Sequence, residues 1–167
     1  MDMMGLRNDP YNSINLHVGG VYGDKSSSAK RFCENFKKLQ DSARQRLTVE
    51  NDDKINLYST LDLYTLIHSE INIPIIFDYH HHSLCSGGQT EEEALKLAVK
   101  TWPEGIKPVA HYSSSKKHYE DANSNPQSHA DYLHEKIKEY GLSIDIEVEA
   151  KAKEAAVILY LQKFENK

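Results

Sequence analysis

The chain has 167 residues, 39% hydrophobic and 27% charged, which suits one soluble domain with its own core. No apolar run approaches the roughly 20 residues that cross a bilayer. Met1-Asp2-Met3-Met4-Gly5 also lacks the basic and apolar regions of a secretion signal, so an intracellular, non-membrane protein is expected. The net charge of −5 argues against coating nucleic acid by bulk electrostatics, although carboxylates gathered at a metal site lower net charge without removing a basic rim.

Ser13 to Val18 alternates polar and apolar and reads as a strand running into Gly19-Gly20. Ser26-Ser27-Ser28 then offers a cap for a helix carrying Ala29, Phe32, Cys33, Phe36 and Leu39 at helical spacing. Leu47 to Glu50 is a short strand, the polar loop Asn51 to Lys54 follows, and Leu57 to Ile67 reads as the next helix. The apolar, β-branched run from Ile73 to Phe77 is a buried parallel strand that stops at Asp78-Tyr79-His80-His81-His82. Thr90 to Glu93 is a capping box leading into Ala94, Leu95, Leu97 and Ala98. A fourth strand lies within Lys107 to Tyr112 and leads into Ser113 to Lys117. After the polar loop Glu120 to Gln127, a helix is expected near Ser128 to Tyr140, ended by Gly141. Leu142 to Val148 alternates as a fifth strand, and Ala150 to Phe164 is a last helix.

Strand, loop and helix recurring in this way predict a parallel α/β fold. His17, Glu50, Asp78, His111 and Glu149 stand at the ends of the five strands. In a (β/α) barrel that is the end where active sites lie. Packing gives no reason for a histidine or an acid at every strand end, whereas a metal site needs both residue types. Asp78 and His81 are three apart, so the chain must turn just after Asp78 to bring the imidazole back beside the carboxylate. His80 and His82 read as supporting or solvated residues, and His68, His118 and His134 as surface residues. Cys33 and Cys85 form no CxxC pair, which excludes a zinc finger and suits a reducing compartment.

The motifs Leu16-His17-Val18-Gly19-Gly20-Val21-Tyr22-Gly23-Asp24-Lys25, Leu47-Thr48-Val49-Glu50-Asn51-Asp52, Phe77-Asp78-Tyr79-His80-His81-His82, His111-Tyr112-Ser113 and Val148-Glu149-Ala150-Lys151-Ala152-Lys153-Glu154 occur in that order over nearly the whole chain. Together they resemble the UV-damage endonuclease family. The resemblance implies a TIM barrel of the xylose isomerase-like type, and nicking of damaged double-stranded DNA 5′ to ultraviolet photoproducts and other lesions. It also implies a cluster of divalent metals, manganese foremost, with zinc or iron as alternatives. His17, Glu50, Asp78, His81, His111, His129 and Glu149 match its ligand positions, with Glu50 and Glu149 as bridging, catalytic carboxylates. Tyr79, Lys25, Lys116 and Lys117 become the candidate DNA contacts.

Two departures stand beside the match. Family members usually carry a lysine two residues before the histidine of the fourth strand, where this chain has Val109, with Lys107 the nearest lysine. Only about five of the eight βα units of a barrel can be placed, so residues 1–167 are expected to form a single incomplete barrel domain. That leaves three expectations: half of a split enzyme with a separate N-terminal half-barrel chain, a truncated product, or an inactive remnant that binds metal or DNA. A sugar-acting xylose isomerase-like barrel is weighed and set aside on the HVGGxYGDK and DxHHH motifs.

Overall fold

The structure, a computed structural model, describes residues 1–165. Its centre is a parallel sheet in the order β1-β2-β3-β4-β5, from Ile14–Leu16, Leu47–Glu50, Ile75–Asp78, Val109–Tyr112 and Asp145–Val148. Each strand lies beside its predecessor in the chain, the order that βα units take as they wind around a barrel. The five strands form a half-barrel, with β1 and β5 as its edges among the described residues.

Strand alternation sorts the side chains. Leu47, Val49, Ile75, Phe77, Ala110 and Tyr112 join one apolar core with residues of the covering helices. Thr48, Glu50, Asp78 and His111 occupy the alternate positions, and all four are buried. The start of β3 is anchored by Thr101 and Trp102: the Ile75 N–H donates to Thr101 Oγ1 at 2.8 Å, and Trp102 Nε1 donates to the Ile75 carbonyl at 2.8 Å. These bonds satisfy buried backbone groups that would otherwise cost about 1–3 kcal/mol each.

The first helix, α1 (Lys25–Phe36), buries Ala29 and Cys33 as its spacing predicts, but the cap is Asp24 rather than a serine: its side chain accepts from the Ser27 N–H at 3.0 Å. Leu39 lies beyond the helix end. A short α2 (Asp41–Arg44) follows. The second long helix begins at Ser59, which forms a capping box with Asp62, and runs as α3 (Thr60–Leu63), a π-helical stretch (Tyr64–His68) and α4 (Ser69–Ile71). Asp78 caps α5 (Tyr79–Leu84), and the expected Thr90–Glu93 capping box opens α6 (Glu91–Val99). Beyond β4, α7 (Lys116–Tyr119) is one short turn. The final α8 (Glu154–Tyr160) continues as a π-helix over Leu161–Glu165.

The helix expected near Ser128 to Tyr140 is not formed. Backbone groups at its start are taken by other partners. The Lys116 N–H donates to the Ser128 carbonyl and the Ala130 N–H to the Ser114 carbonyl, while the 151 and 152 amides bond the carbonyls of Ala130 and Asp131. A helix would have to give up those bonds for its own ladder, so local propensity loses to tertiary pairing. The fifth strand is also shorter than Leu142 to Val148, starting only at Asp145 where pairing with β4 begins. No helix among the described residues is long and apolar enough to cross a membrane.

Candidate metal centre

The strand ends bring the expected ligands to one end of the sheet. Glu50 and Asp78 close β2 and β3, His111 lies in β4, and His17 and Glu149 follow β1 and β5 by one residue. Asp78 ends its strand as an N-cap, with Oδ1 accepting from the His81 N–H at 2.7 Å. That cap is the turn the Asp78–His81 spacing demanded, and it sets the His81 ring beside the carboxylates.

Glu50 is the hub. Its Oε1 is 3.1 Å from His81 Nδ1 and its Oε2 3.3 Å from His111 Nδ1, while Asn15 Nδ2 also donates to Oε2. His17, Glu50 and His81 offer donor atoms that all lie within 4.8 Å of one another, as do Glu50, Asp78 and His111. From His111 the chain of contacts continues: Nδ1 is 3.5 Å from Glu149 Oε1, and Glu149 Oε2 is 3.5 Å from His129 Nδ1. All seven expected ligands are therefore linked. Glu149 differs from Glu50 and Asp78 in one respect: it is not buried, with its side chain 37% exposed, because β5 is an edge among the described residues.

The surroundings set the protonation. His81 Nδ1 is 3.0 Å from the Asn51 carbonyl and His129 Nδ1 3.0 Å from the Glu149 carbonyl. A carbonyl only accepts, so Nδ1 is the donor in each contact, and it is Nε2 that gains a lone pair whenever the ring is neutral, the usual arrangement behind a metal-binding imidazole. Burial would raise the Glu50 carboxyl, yet hydrogen bonds from His111 and His81 hold it well below the usual carboxylate range. Burial would lower both imidazoles, but the same bonds and the neighbouring carboxylates push His81 and His111 up to about 9. The hydrogen bond to Asp52 raises His17. Burial dominates at Asp78 and pushes its carboxyl up to about 6.

A divalent cation fits this site on two observations. Asp78 Oδ2 is fully buried with no hydrogen-bond partner, and the buried His111 Nε2 lies 2.9 Å from Glu147 Oε2 in poor alignment for a hydrogen bond. An orphaned carboxylate oxygen costs free energy in a protein interior, and a cation is a partner of the right charge. The mixed imidazole and carboxylate donors suit manganese, zinc or iron.

The profile of the family described as UV-endonuclease UvdE matches residues 1–166. The chain belongs to that family. It is 38% identical over 168 residues to the UV DNA damage endonuclease of Bacillus velezensis, covering 95% of this chain and 49% of the relative. It is 34% identical over 177 residues to the enzyme of the same name from Bacillus cereus strain 03BB102, covering 99% and 52%. A solved structure titled Crystal Structure of SacUVDE superposes with a TM-score of 0.77 at 30% identity, covering 92% of this chain and 51% of that one. The chain thus spans about half the length of the relatives it matches.

The lysine that the resemblance implies has no stand-in here. Val109 occupies its position in β4, and Lys107 pairs with Asp145, which also accepts from Tyr11 Oη at 2.9 Å, at the opposite end of the strands from the ligands. Tyr79, expected among the DNA contacts, lies in the core. It is 3% exposed and donates its hydroxyl to the Lys138 carbonyl at 2.9 Å, because a residue at the first position of α5 points into the core behind the sheet. Lys25 is tied down, 2.8 Å from Asp62 at the α1–α3 junction. Lys116 lies 3.5 Å from Asp131 and lines an open cleft with Ser128, His129 and Lys151, and Lys117 is exposed. His80 and His82 are buried rather than solvated, packing edge-on to His129 and against Phe77.

Sequence reasoning gave no role to Asn15, Asn51 or Asp52. Asn51 grips the backbone of Asp78 from both sides, accepting from its N–H at 2.8 Å and donating to its carbonyl at 3.0 Å. Asp52 Oδ1 is 3.2 Å from His17 Nδ1 and orients that ring. The signal was present: two buried polar residues directly after a strand-end ligand are costly unless they hold something.

Proposed function

We propose that this chain carries the metal-binding face of an endonuclease that nicks double-stranded DNA 5′ to ultraviolet photoproducts and other lesions, with divalent ions, manganese foremost, as cofactors. The observation that carries the reading is the membership of Glu50 in both donor triads, which suits a carboxylate shared by neighbouring metal ions. His17 and His81 would complete one set of ligands, Asp78 and His111 the next, and Glu149 and His129 the outer one. When bound, such ions supply an activated water and stabilise charge on the attacked phosphate. The protein residues do the rest. Asn51 and Asp52 fix the ligand geometry, and Lys116, Lys117 and Lys151 offer cations to DNA phosphates on the same face.

The open edges of β1 and β5 support a further part of the proposal. The remaining barrel strands, on this polypeptide or on a second chain, pair with those edges, cover the concave face and complete the enzyme. The test is to measure manganese, zinc and iron in the purified chain, and to assay nicking of irradiated plasmid with and without the N-terminal half of a relative. Metal uptake with nicking in the reconstituted mixture supports the reading, and absence of metal above background refutes the site. Glu149→Gln should abolish nicking by the reconstituted enzyme, whereas unchanged activity contradicts a bridging role. Val109 favours a second reading, a protein that binds metal or DNA without cutting. Metal uptake without nicking in every combination decides for it.

A further inference from the structure

The segment that carries His129 has no helix to hold it. Residues 131–144 are without regular secondary structure, yet His129 sits at a defined place beside Glu149. Two backbone rails fix its near side: Ser115 and His129 form an antiparallel bridge, and the Lys151 N–H donates to the Ala130 carbonyl at 3.1 Å. The far side is gathered by one carboxylate. Glu120, at the end of α7, accepts from the Asp131 N–H on both oxygens, at 2.9 and 2.8 Å, and from the Tyr132 N–H at 3.2 Å. His134 Nε2 lies 3.0 Å from Glu120 Oε1, and the His134 N–H donates to Ser114 Oγ at 3.1 Å. The Tyr119 ring stacks on His134 at 4.8 Å between centroids, nearly parallel at 6°.

We propose that Glu120 is a positioning residue for the metal centre: its carboxylate clamps Asp131, Tyr132 and His134, and so holds His129 where its imidazole joins Glu149. The physical reason is local. Two consecutive amides aimed at one point form a small concave donor site, and an ionised carboxylate fills it with charge-assisted bonds. A neutral side chain loses that strength, and the amide group of glutamine turns a donor toward donors. Glu120 touches neither His129 nor Glu149 in these bonds, so its effect on metal must pass through the loop.

The proposal rests on the metal-centre reading, and the test separates the two. The full chain is titrated with cobalt(II), whose visible absorption reports ligand number and type, for wild type, Glu120→Gln, Glu120→Asp, His129→Ala and the Glu120→Gln/His129→Ala double variant. Amide hydrogen exchange at Asp131 and Tyr132 is followed in the metal-free proteins. Glu120→Gln should weaken the outermost cobalt equivalent about tenfold, about 1.4 kcal/mol. It should also shift the spectrum toward that of His129→Ala and speed exchange at the two amides. The double variant should bind no worse than His129→Ala alone, because residues acting through one another do not add. Glu120→Asp keeps the charge and should recover most of the affinity, and it carries the comparison if Glu120→Gln fails to fold. Wild-type affinity and spectrum in Glu120→Gln overturn the clamp while leaving the centre intact, as do losses that add in the double variant. A wild-type chain that binds no cobalt overturns both.

Discussion

Replacing Asp78 by asparagine tests the tension between folding and the proposed metal binding at this site. Asp78 is fully buried, and Oδ2 has no hydrogen-bond partner. Burial raises its carboxyl from 3.8 to about 6, so the fold disfavours the anion. At about 1.4 kcal/mol per pKa step, ionising the carboxyl costs the metal-free fold about 3 kcal/mol. The sign follows from linkage. With a raised folded-state pKa, the stability linked to the proton is fully present below 3.8 and lost as pH rises through 6. Asparagine has no such charge and still caps α5, since its side-chain oxygen replaces Oδ1 in the bond from His81. Its amide nitrogen inherits the unpartnered position and returns part of the gain. In EDTA at pH 7.5, Asp78→Asn should therefore be about 1–2 kcal/mol more stable than wild type by urea unfolding, and below about pH 4, where the relief is gone and only the amide cost remains, it should be the less stable of the two. The same variant should lose metal binding. A variant less stable than wild type at pH 7.5 refutes the claim that this carboxylate is held against the preference of the fold.

Histidine protonation predicts opposite pH trends for the metal-free and metal-loaded chain. His81 and His111 rise from 6.5 to about 9 in the fold, so their contribution is fully present below pH 6.5 and lost as pH climbs through 9. The two rings share Glu50, so their terms do not add, and the metal-free chain should lose about 3 kcal/mol over that window. Metal affinity, measured by competition with a chelator dye, should rise across the same window as protons leave; flat affinity would contradict ligation by these two imidazoles. Tyr79→Phe should cost about 1 kcal/mol in denaturant unfolding through the lost bond to Lys138 and leave nicking by a reconstituted enzyme unchanged. A selective loss of activity on damaged DNA would restore Tyr79 as a lesion contact. Lys107→Ala should alter stability by less than about 1 kcal/mol and leave metal content untouched, since its pair with Asp145 lies on the surface away from the ligands.

The strand pattern in the sequence is enough to place the sheet and to group most of the candidate ligands. Alternation marked β1 and β5, an apolar β-branched run marked β3, and strand ends must fall at one end of a parallel sheet, so His17, Glu50, Asp78, His111 and Glu149 were legible as a group. Asp78 to His81 was legible as a turn because three-residue spacing fits an N-cap, a local motif. What the sequence left open depends on partners far along the chain. His129 reaches Glu149 on a segment whose own residues favour a helix, because backbone groups of Ser114, Lys116, Lys151 and Ala152 and the Glu120 carboxylate claim its backbone. Tyr79 sits among candidate ligands in sequence but faces the core, since the first residue after the cap is turned behind the sheet. Asp78, Glu50 and Glu149 look alike as strand-end acids, yet tertiary burial lifts the first, two imidazoles depress the second, and an edge strand leaves the third half open to solvent. Charge state belongs to the assembled environment, and only the folded chain decides it.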